Sequence, residues 1–254
     1  MTPRRALLRG EAGFALSDLL VACSIMTLVM GAVLNAHMTG TTIALTGQNR
    51  AEAQQGARAV LQIEEDLRLA GAGLPPATTP FTAASGTSVT FWGDLTNSST
   101  TLTAAANVGT RTLNVGAVSN VQAGDIVYLI NQGTSEILTV TSVGASSIVV
   151  ANPGTVNAYP AGIQVGHPRQ ITYSWDAVNT LSKDAGDGTG LQPAATGVIA
   201  FGLTFFDAND NAIASPGTNL PGIRRIAISM TVQSATSENR STFTLNGSGR
   251  PRNL

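Results

Sequence analysis

The sequence predicts an α+β fold: a long N-terminal helix, its second half packed on an antiparallel β-sheet, with a β-rich insertion. Three observations carry this expectation. An apolar run from Leu19 to Met38 leads without a break into a stretch of helical spacing. Two late segments, 198–206 and 226–232, alternate in character with a period of two. Between them in the chain plan, residues 107–166 carry short apolar runs separated at regular spacing by turn residues.

Composition sets the bounds. The chain has 254 residues and 43% apolar content, enough to bury a sizeable core. Only 11% of residues are charged, Lys183 is the single lysine, and Ser, Thr, Gly, Asn and Ala fill the polar positions, which reads as an exported surface. A net charge of -1 gives no long-range attraction for nucleic acid, so no nucleic-acid partner is expected. The one cysteine, Cys23, lies in the apolar run, which excludes an intrachain disulfide.

From the N-terminus, no residue between Asp18 and Arg50 is formally charged, and Leu19 to Met38 is relieved only by Cys23, Ser24, Thr27, Asn35 and His37. That length suits one membrane-spanning helix. Arg4, Arg5 and Arg9 against Glu11 make a positive flank, which predicts an N-in, C-out topology. The apolar core continues through Leu28, Val29, Met30, Val33 and Leu34, past the point where a secretory signal would present its cleavage site, so retention is expected. Leu20-Val21-Ala22-Cys23 is similar to a lipobox, but Ile25 to Leu34 stays apolar where a polar tether is required, and Asp18 interrupts the core. Cys23 is therefore read as a small helix residue. A lone carboxylate in hydrocarbon costs roughly 2.5 to 3.5 kcal/mol on insertion scales, so Asp18 either has a cationic partner or sits among the headgroups.

The stretch "QNRAEAQQGARAVLQIEEDLRLAGAGLPP" continues the helix to about Ala70. Ala53, Gly56, Val60, Ile63, Leu67 and Ala70 recur at spacings of three and four and mark one buried face. Glu64 and Arg68 stand one turn apart as a surface pair, Glu64-Glu65-Asp66 reads as a solvated face, and Gly71, Gly73, Pro75 and Pro76 supply the stop.

The strands follow. Ile226, Ile228, Met230 and Val232 alternate with Ala227, Ser229 and Thr231, while Ile199, Phe201, Leu203 and Phe205 alternate with Val198, Ala200, Gly202, Thr204 and Phe206. "FDANDNA" at 206–212 reads as a turn: Asp207, Asn209 and Asp210 have calcium-loop spacing, but Ala212 and Thr218 replace the required glycine and glutamate. "KDAGDGTG" at 183–190 reads the same way. In 107–166, Gly124-Asp125, Gln132-Gly133 and Gly144 are the turn points of a small antiparallel barrel or hairpin module. Arg224-Arg225 in a strand is expected to pair with an acid or guard an edge. The two histidines, His37 and His167, are not expected to head a catalytic triad. Metal-ligand spacings and phosphate-cradling glycine loops are absent from the sequence, so neither enzymatic activity nor a cofactor is expected.

Gly13-Phe14-Ala15-Leu16-Ser17-Asp18-Leu19-Leu20-Val21-Ala22 resembles the class III signal of type IV pilins and type II secretion pseudopilins. The resemblance implies that a prepilin peptidase cuts between Gly13 and Phe14 on the cytoplasmic side, methylates the new amine of Phe14, and leaves the helix in place. It also implies that Asp18, at a position usually held by glutamate, meets the N-terminal amine of a neighbouring subunit as monomers move from bilayer to filament. Asp18 is one methylene shorter than the usual residue, Ser17 replaces a branched apolar residue, and Ala15 replaces a Thr or Ser.

"RAVLQIEEDLRLAGAGLPP" resembles the stalk end of PilW-type minor pilins. "PRQITYSWD", "GVIAFGLTFFDANDNA", "IRRIAISMTVQSA" and "GRPRNL" are similar to strands and terminus of that group and of the J-type pseudopilins. The implied organisation is a leader at 1–13, a transmembrane and polymerisation helix at 14–47, an amphipathic stalk at 48–74, the start of the globular domain at 75–106, the insertion at 107–166, and the main sheet at 167–254. The implied function is that of a minor pilin in type IV pilus assembly or priming, serving motility or adhesion. Its partners would be other minor pilins, the major pilin, the prepilin peptidase, the inner-membrane assembly platform and, before assembly, the lipid bilayer. It would be a single-pass inner-membrane protein with an exported C-terminal domain. A J-type pseudopilin, or a membrane-anchored adhesin or binding module using residues 107–166, stands as the alternative.

Overall fold

A computed structural model describes residues 16–76, 78–233 and 241–252. The architecture is α+β with antiparallel sheets. Among the described residues there is one α-helix, α1, which spans Leu16–Arg68, and fourteen strands follow. They are β1 (Phe81–Ala84), β2 (Ser88–Gly93), β3 (Thr100–Thr101), β4 (Thr112–Asn114) and β5 (Ile126–Asn131). Next come β6 (Thr134–Val143), β7 (Ser147–Val150), β8 (Gln164–Gly166), β9 (Arg169–Trp175) and β10 (Thr180–Asp184). The last are β11 (Gln192–Thr196), β12 (Val198–Phe206), β13 (Arg225–Gln233) and β14 (Thr242–Gly249). The chain divides into two compact units, Met1–Gln48 and Asn49–Leu254, and α1 runs through the division.

Within the second unit, the last turns of α1 bury the face that the 3-4 spacing marks. Gly56, Val60, Ile63, Leu67 and Ala70 are buried and Ala53 half-buried, while Arg58, Leu61, Gln62 and Glu65 are exposed. The helix stops at Arg68; the amide of Gly71 then turns to the carbonyl of Trp92, and Gly71 and Gly73 take φ of 87° and 79°, values that favour glycine.

That helical face packs on two sheets with a shared core. One has the order β1-β2-β9-β10-β11, the other β12-β13-β14. Hydrogen bonds from Leu203 N to Gly86 O and from Val198 N to Asn179 O join them. Ile226, Ile228, Met230 and Val232 all point inward, as the period of two requires. On β12 the alternation slips once: a bulge between Val198 and Ala200 buries Val198 and exposes Ile199, and Phe201, Leu203 and Phe205 then resume the inward phase. Close contact of helix and sheet depends on missing side chains: a Cβ on Gly56 would lie 2.9 Å from Leu245 and Val232, and one on Gly249 2.7 Å from Leu67.

Residues between Thr100 and Gly166 form the third sheet, ordered β3-β8-β5-β6-β7-β4. A bridge between Leu102 and Val115, flanked by Thr103 N to Asn114 O and Gly116 N to Thr101 O, brings the last strand back to the first and closes a small barrel. The barrel has its own core around Leu113, Leu129, Val140, Ile148 and Tyr159, separate from the one under α1. It also takes in Thr100–Thr101, Leu102 and Ala106, upstream of the boundary at 107 read from the sequence. "TTLTAAAN" lacks the alternation that marks a strand, and only its partners across the barrel order it.

Candidate functional site

The stretch Leu16–Ala44 of α1 is long and apolar enough to cross a membrane, and none of it is buried. Its hydroxyls turn back onto the helix: Ser24 Oγ donates to the carbonyl of Leu20 at 2.8 Å, Thr39 Oγ1 to Asn35 at 2.9 Å, and Thr42 Oγ1 to Met38 at 2.9 Å. Each bond satisfies a polar group inside the helix, which suits a hydrocarbon surrounding. Asp18 is the acidic residue of the first described turn of α1. It is exposed and has no partner among the described residues. Gly13 and Phe14, the expected processing residues, lie outside the described residues. Cys23 is exposed on the same helix.

Further along α1, the structure corrects one reading. Asp66 belongs to no solvated face: it is 8% exposed, accepts a hydrogen bond from Tyr173 Oη at 2.5 Å, and lies 2.6 Å from Lys183 Nζ. Burial, with the adjacent Asp66 carboxylate, pushes the Tyr173 phenol well up, so it stays a donor. The two strands β9 and β10 thereby grip the stalk helix through a carboxylate the sequence placed in water. No local pattern could have shown this, because both partners lie more than a hundred residues away in the chain. Glu64 does more than pair with Arg68 at 3.9 Å: its Oε1 also accepts the amide of Ser248 on β14.

A second buried cluster sits where the barrel joins the first sheet. The chain crosses between these bodies twice, through Asp94–Ser99 after β2 and through His167–Pro168 after β8. Ser98 Oγ lies 2.8 Å from His167 Nδ1, and His167 Nε2 lies 2.9 Å from Oδ2 of Asp125 in the β4–β5 turn. Asp94 caps the first crossing, its Oδ1 accepting Ser98 N at 2.9 Å and its Oδ2 accepting Ser99 N at 2.8 Å. Burial acts to raise the Asp94 carboxyl, but the hydrogen bonds from Ser98 and Ser99 outweigh it and hold it below the usual carboxylate value. His167 is 1% exposed, and burial pushes its imidazole below the ordinary value against the opposing pull of Asp125.

His167 therefore does stand between a serine and an aspartate, which the sequence reading did not anticipate. The arrangement differs from a hydrolytic triad in two respects. The serine meets Nδ1 and the carboxylate Nε2, and Ser98 Oγ, in a residue 2% exposed, abuts the Asp94 carboxylate at 3.0 Å, where a developing oxyanion would be repelled. The geometry holds two bodies together. Packing adds to the hold, since a Cβ on Gly166 would fall 2.0 Å from the Gly73 carbonyl.

Elsewhere, Arg225 Nε donates to Asp210 Oδ1 at 2.9 Å and Arg250 reaches the same carboxylate at 3.1 Å, an acid pairing of the kind expected for the Arg224-Arg225 strand. Asp207 caps its own turn by accepting the amides of Asn209 and Asn211. Among the described residues no group of three or more His, Cys, Asp or Glu is placed to hold a metal ion. Comparison with protein-family models, with curated proteins and with solved structures gives no match.

Proposed function

We propose that the chain is a pilin-like structural subunit, of the PilW minor-pilin type, that enters a type IV pilus or its priming complex through its N-terminal helix. The observation that carries this reading is the division of labour along α1. Its first part is apolar, unburied and bears one first-turn carboxylate, while its last turns are buried against an antiparallel sheet. A soluble core helix would be covered throughout, and a cleaved export signal would share no helix with the folded body. In this proposal the peptidase cuts between Gly13 and Phe14 and methylates Phe14, the processed helix anchors the exported body in the inner membrane, and Asp18 pairs with a neighbour's amine during assembly. The partners are other minor pilins, the major pilin and the assembly platform.

Mass analysis of the mature N-terminus tests the proposal: a methylated Phe14 supports it, and an intact Met1 or a chain beginning at Cys23 overturns it. Crosslinked neighbours then separate a pilus subunit from a J-type pseudopilin. The closed barrel with its own core favours a second reading, an anchored binding module, for residues 107–166. A chain found crosslinked to no filament subunit would leave that reading alone.

A further inference from the structure

The Ser98 hydroxyl has more polar neighbours than it has protons. It lies 2.8 Å from His167 Nδ1, 3.0 Å from Asp94 Oδ1 and 3.1 Å from the Thr96 hydroxyl. A hydroxyl carries a single proton and serves one acceptor at a time. Two proton arrangements satisfy the atoms where they stand. With a neutral imidazole, Nε2–H donates to Asp125 and the Ser98 hydroxyl donates to the bare Nδ1, while the amides of Ser98 and Ser99 keep Asp94 satisfied. With an imidazolium, Nδ1–H donates to Ser98 Oγ, the hydroxyl turns to Asp94 Oδ1, and Nε2–H still donates to Asp125. Thr96 donates to Ser98 in both. The passage between them takes one proton from water and one rotation about a C–O bond, and moves no heavy atom.

We infer that Ser98 is a proton-following rotor that lets His167 hold the barrel to the first sheet in both of its charge states. The charged groups facing His167 support this. Asp94 comes from the first crossing, Asp125 from the β4–β5 turn, and Arg169 from the start of β9, its Nη2 3.9 Å from Asp125 Oδ2. Two carboxylates against one guanidinium leave one negative charge in the cluster, which an imidazolium offsets. Burial opposes that proton, so the neutral form rests at neutral pH. Ser98 moderates the cost when the proton arrives: without its oxygen, Nδ1–H would be a buried donor with no acceptor. The consequence is a junction that stays closed when His167 takes its proton, at lower stability than with the neutral ring.

The test follows the imidazole itself. The full-length chain is prepared in detergent micelles with ring-labelled histidine, as native protein, Ser98→Ala and Asp94→Asn, and His167→Gln separates the His167 resonances from those of His37. Native His167 should titrate reversibly with the folded spectrum retained. Both Ser98→Ala, which removes the rotor, and Asp94→Asn, which removes the charge it turns towards, should weaken proton binding at His167 by about tenfold, one pH unit. An unchanged titration midpoint in both variants overturns the inference. So does loss of barrel resonances in the native chain at the pH where His167 takes its proton. If Ser98→Ala does not fold, the Asp94→Asn midpoint decides alone.

Discussion

The carboxylate of Asp66 on the stalk helix and the ammonium of Lys183 on β10 lie 2.6 Å apart, with only 12% and 16% of their side chains exposed. The Lys183 ammonium also sits 5.6 Å from the centre of the Tyr173 ring, whose hydroxyl binds the same carboxylate. Removing one member of a buried pair strands the other charge away from water. Asp66→Ala should therefore destabilise the folded body by about 3 kcal/mol, within the 3–5 kcal/mol range of such deletions. Combining Asp66→Asn with Lys183→Met should recover much of the loss. Denaturant unfolding of the full-length chain in detergent measures both, and equal stability of native and Asp66→Ala forms would show the pair to be idle.

Acid should weaken the protein in two stages. Burial sets the folded pKa of His167 below its unfolded value of about 6.5, so the folded state binds fewer protons than the unfolded chain in that range. Its contribution is complete above about pH 6.5 and is lost as pH falls below it. Asp94 is also depressed, and its contribution is present above about pH 4 and lost as pH falls further through its lowered folded value. Melting temperatures between pH 8 and pH 3 should decline in both windows, and His167→Gln should flatten the first while leaving the second. A native melting temperature constant from pH 7 to 5 would contradict the first assignment.

These two clusters also mark the limit of sequence reading. The face of Gly56, Val60, Ile63, Leu67 and Ala70 was legible because helical burial is a local periodicity, and the inward residues of β13 were legible for the same reason. Asp66 was not. It sits between Ile63 and Leu67, one step round the helix from the apolar stripe, and only Tyr173 and Lys183, brought by two distant strands, make its burial tolerable. His167 precedes a proline in a chain crossing with no periodicity at all, and its partners come from two separate segments. The bulge at Val198 put two residues, Val198 and Ile199, out of phase in an otherwise correct alternation.

The barrel's ends suggest a clean excision. Thr100 pairs with Val165 and Thr101 with Gln164, so the chain enters and leaves side by side. Removing 101–164 with a short linker should leave a body that melts cooperatively, because closing a short gap costs little entropy. Removing 107–166 instead would leave Leu102 and Ala106 without their core and take Gly166 away from Gly73, and should melt at a lower temperature. If the 101–164 deletion shows no cooperative transition by calorimetry, the barrel is part of the main body's stability.

Asp18 decides whether the N-terminal helix works as an assembly element. On the proposed pairing, Asp18→Asn keeps size but loses charge, and should leave membrane insertion and processing intact while lowering incorporation into filaments several-fold. Asp18→Glu should be tolerated, since it keeps the charge and extends its reach by one methylene. Shearing filaments from cells and measuring the protein per filament compares them. Equal incorporation of the Asn and native forms would place the carboxylate among the headgroups instead.

The paired exit of β3 and β8 has a mechanical side. Tension drawn along the backbone from Asp94 to Arg169 reaches the barrel through β3 and β8, and at its exit β8 is held on one side by Thr100 and on the other by Tyr128 and Leu129 of β5. The clasp of Ser98 and His167 lies outside these pairings and takes the load first. Stretching the chain between those two points should show the clasp rupturing ahead of the barrel, and barrel rupture first would refute it. While the clasp holds, the barrel rides as a side branch off the load-bearing path.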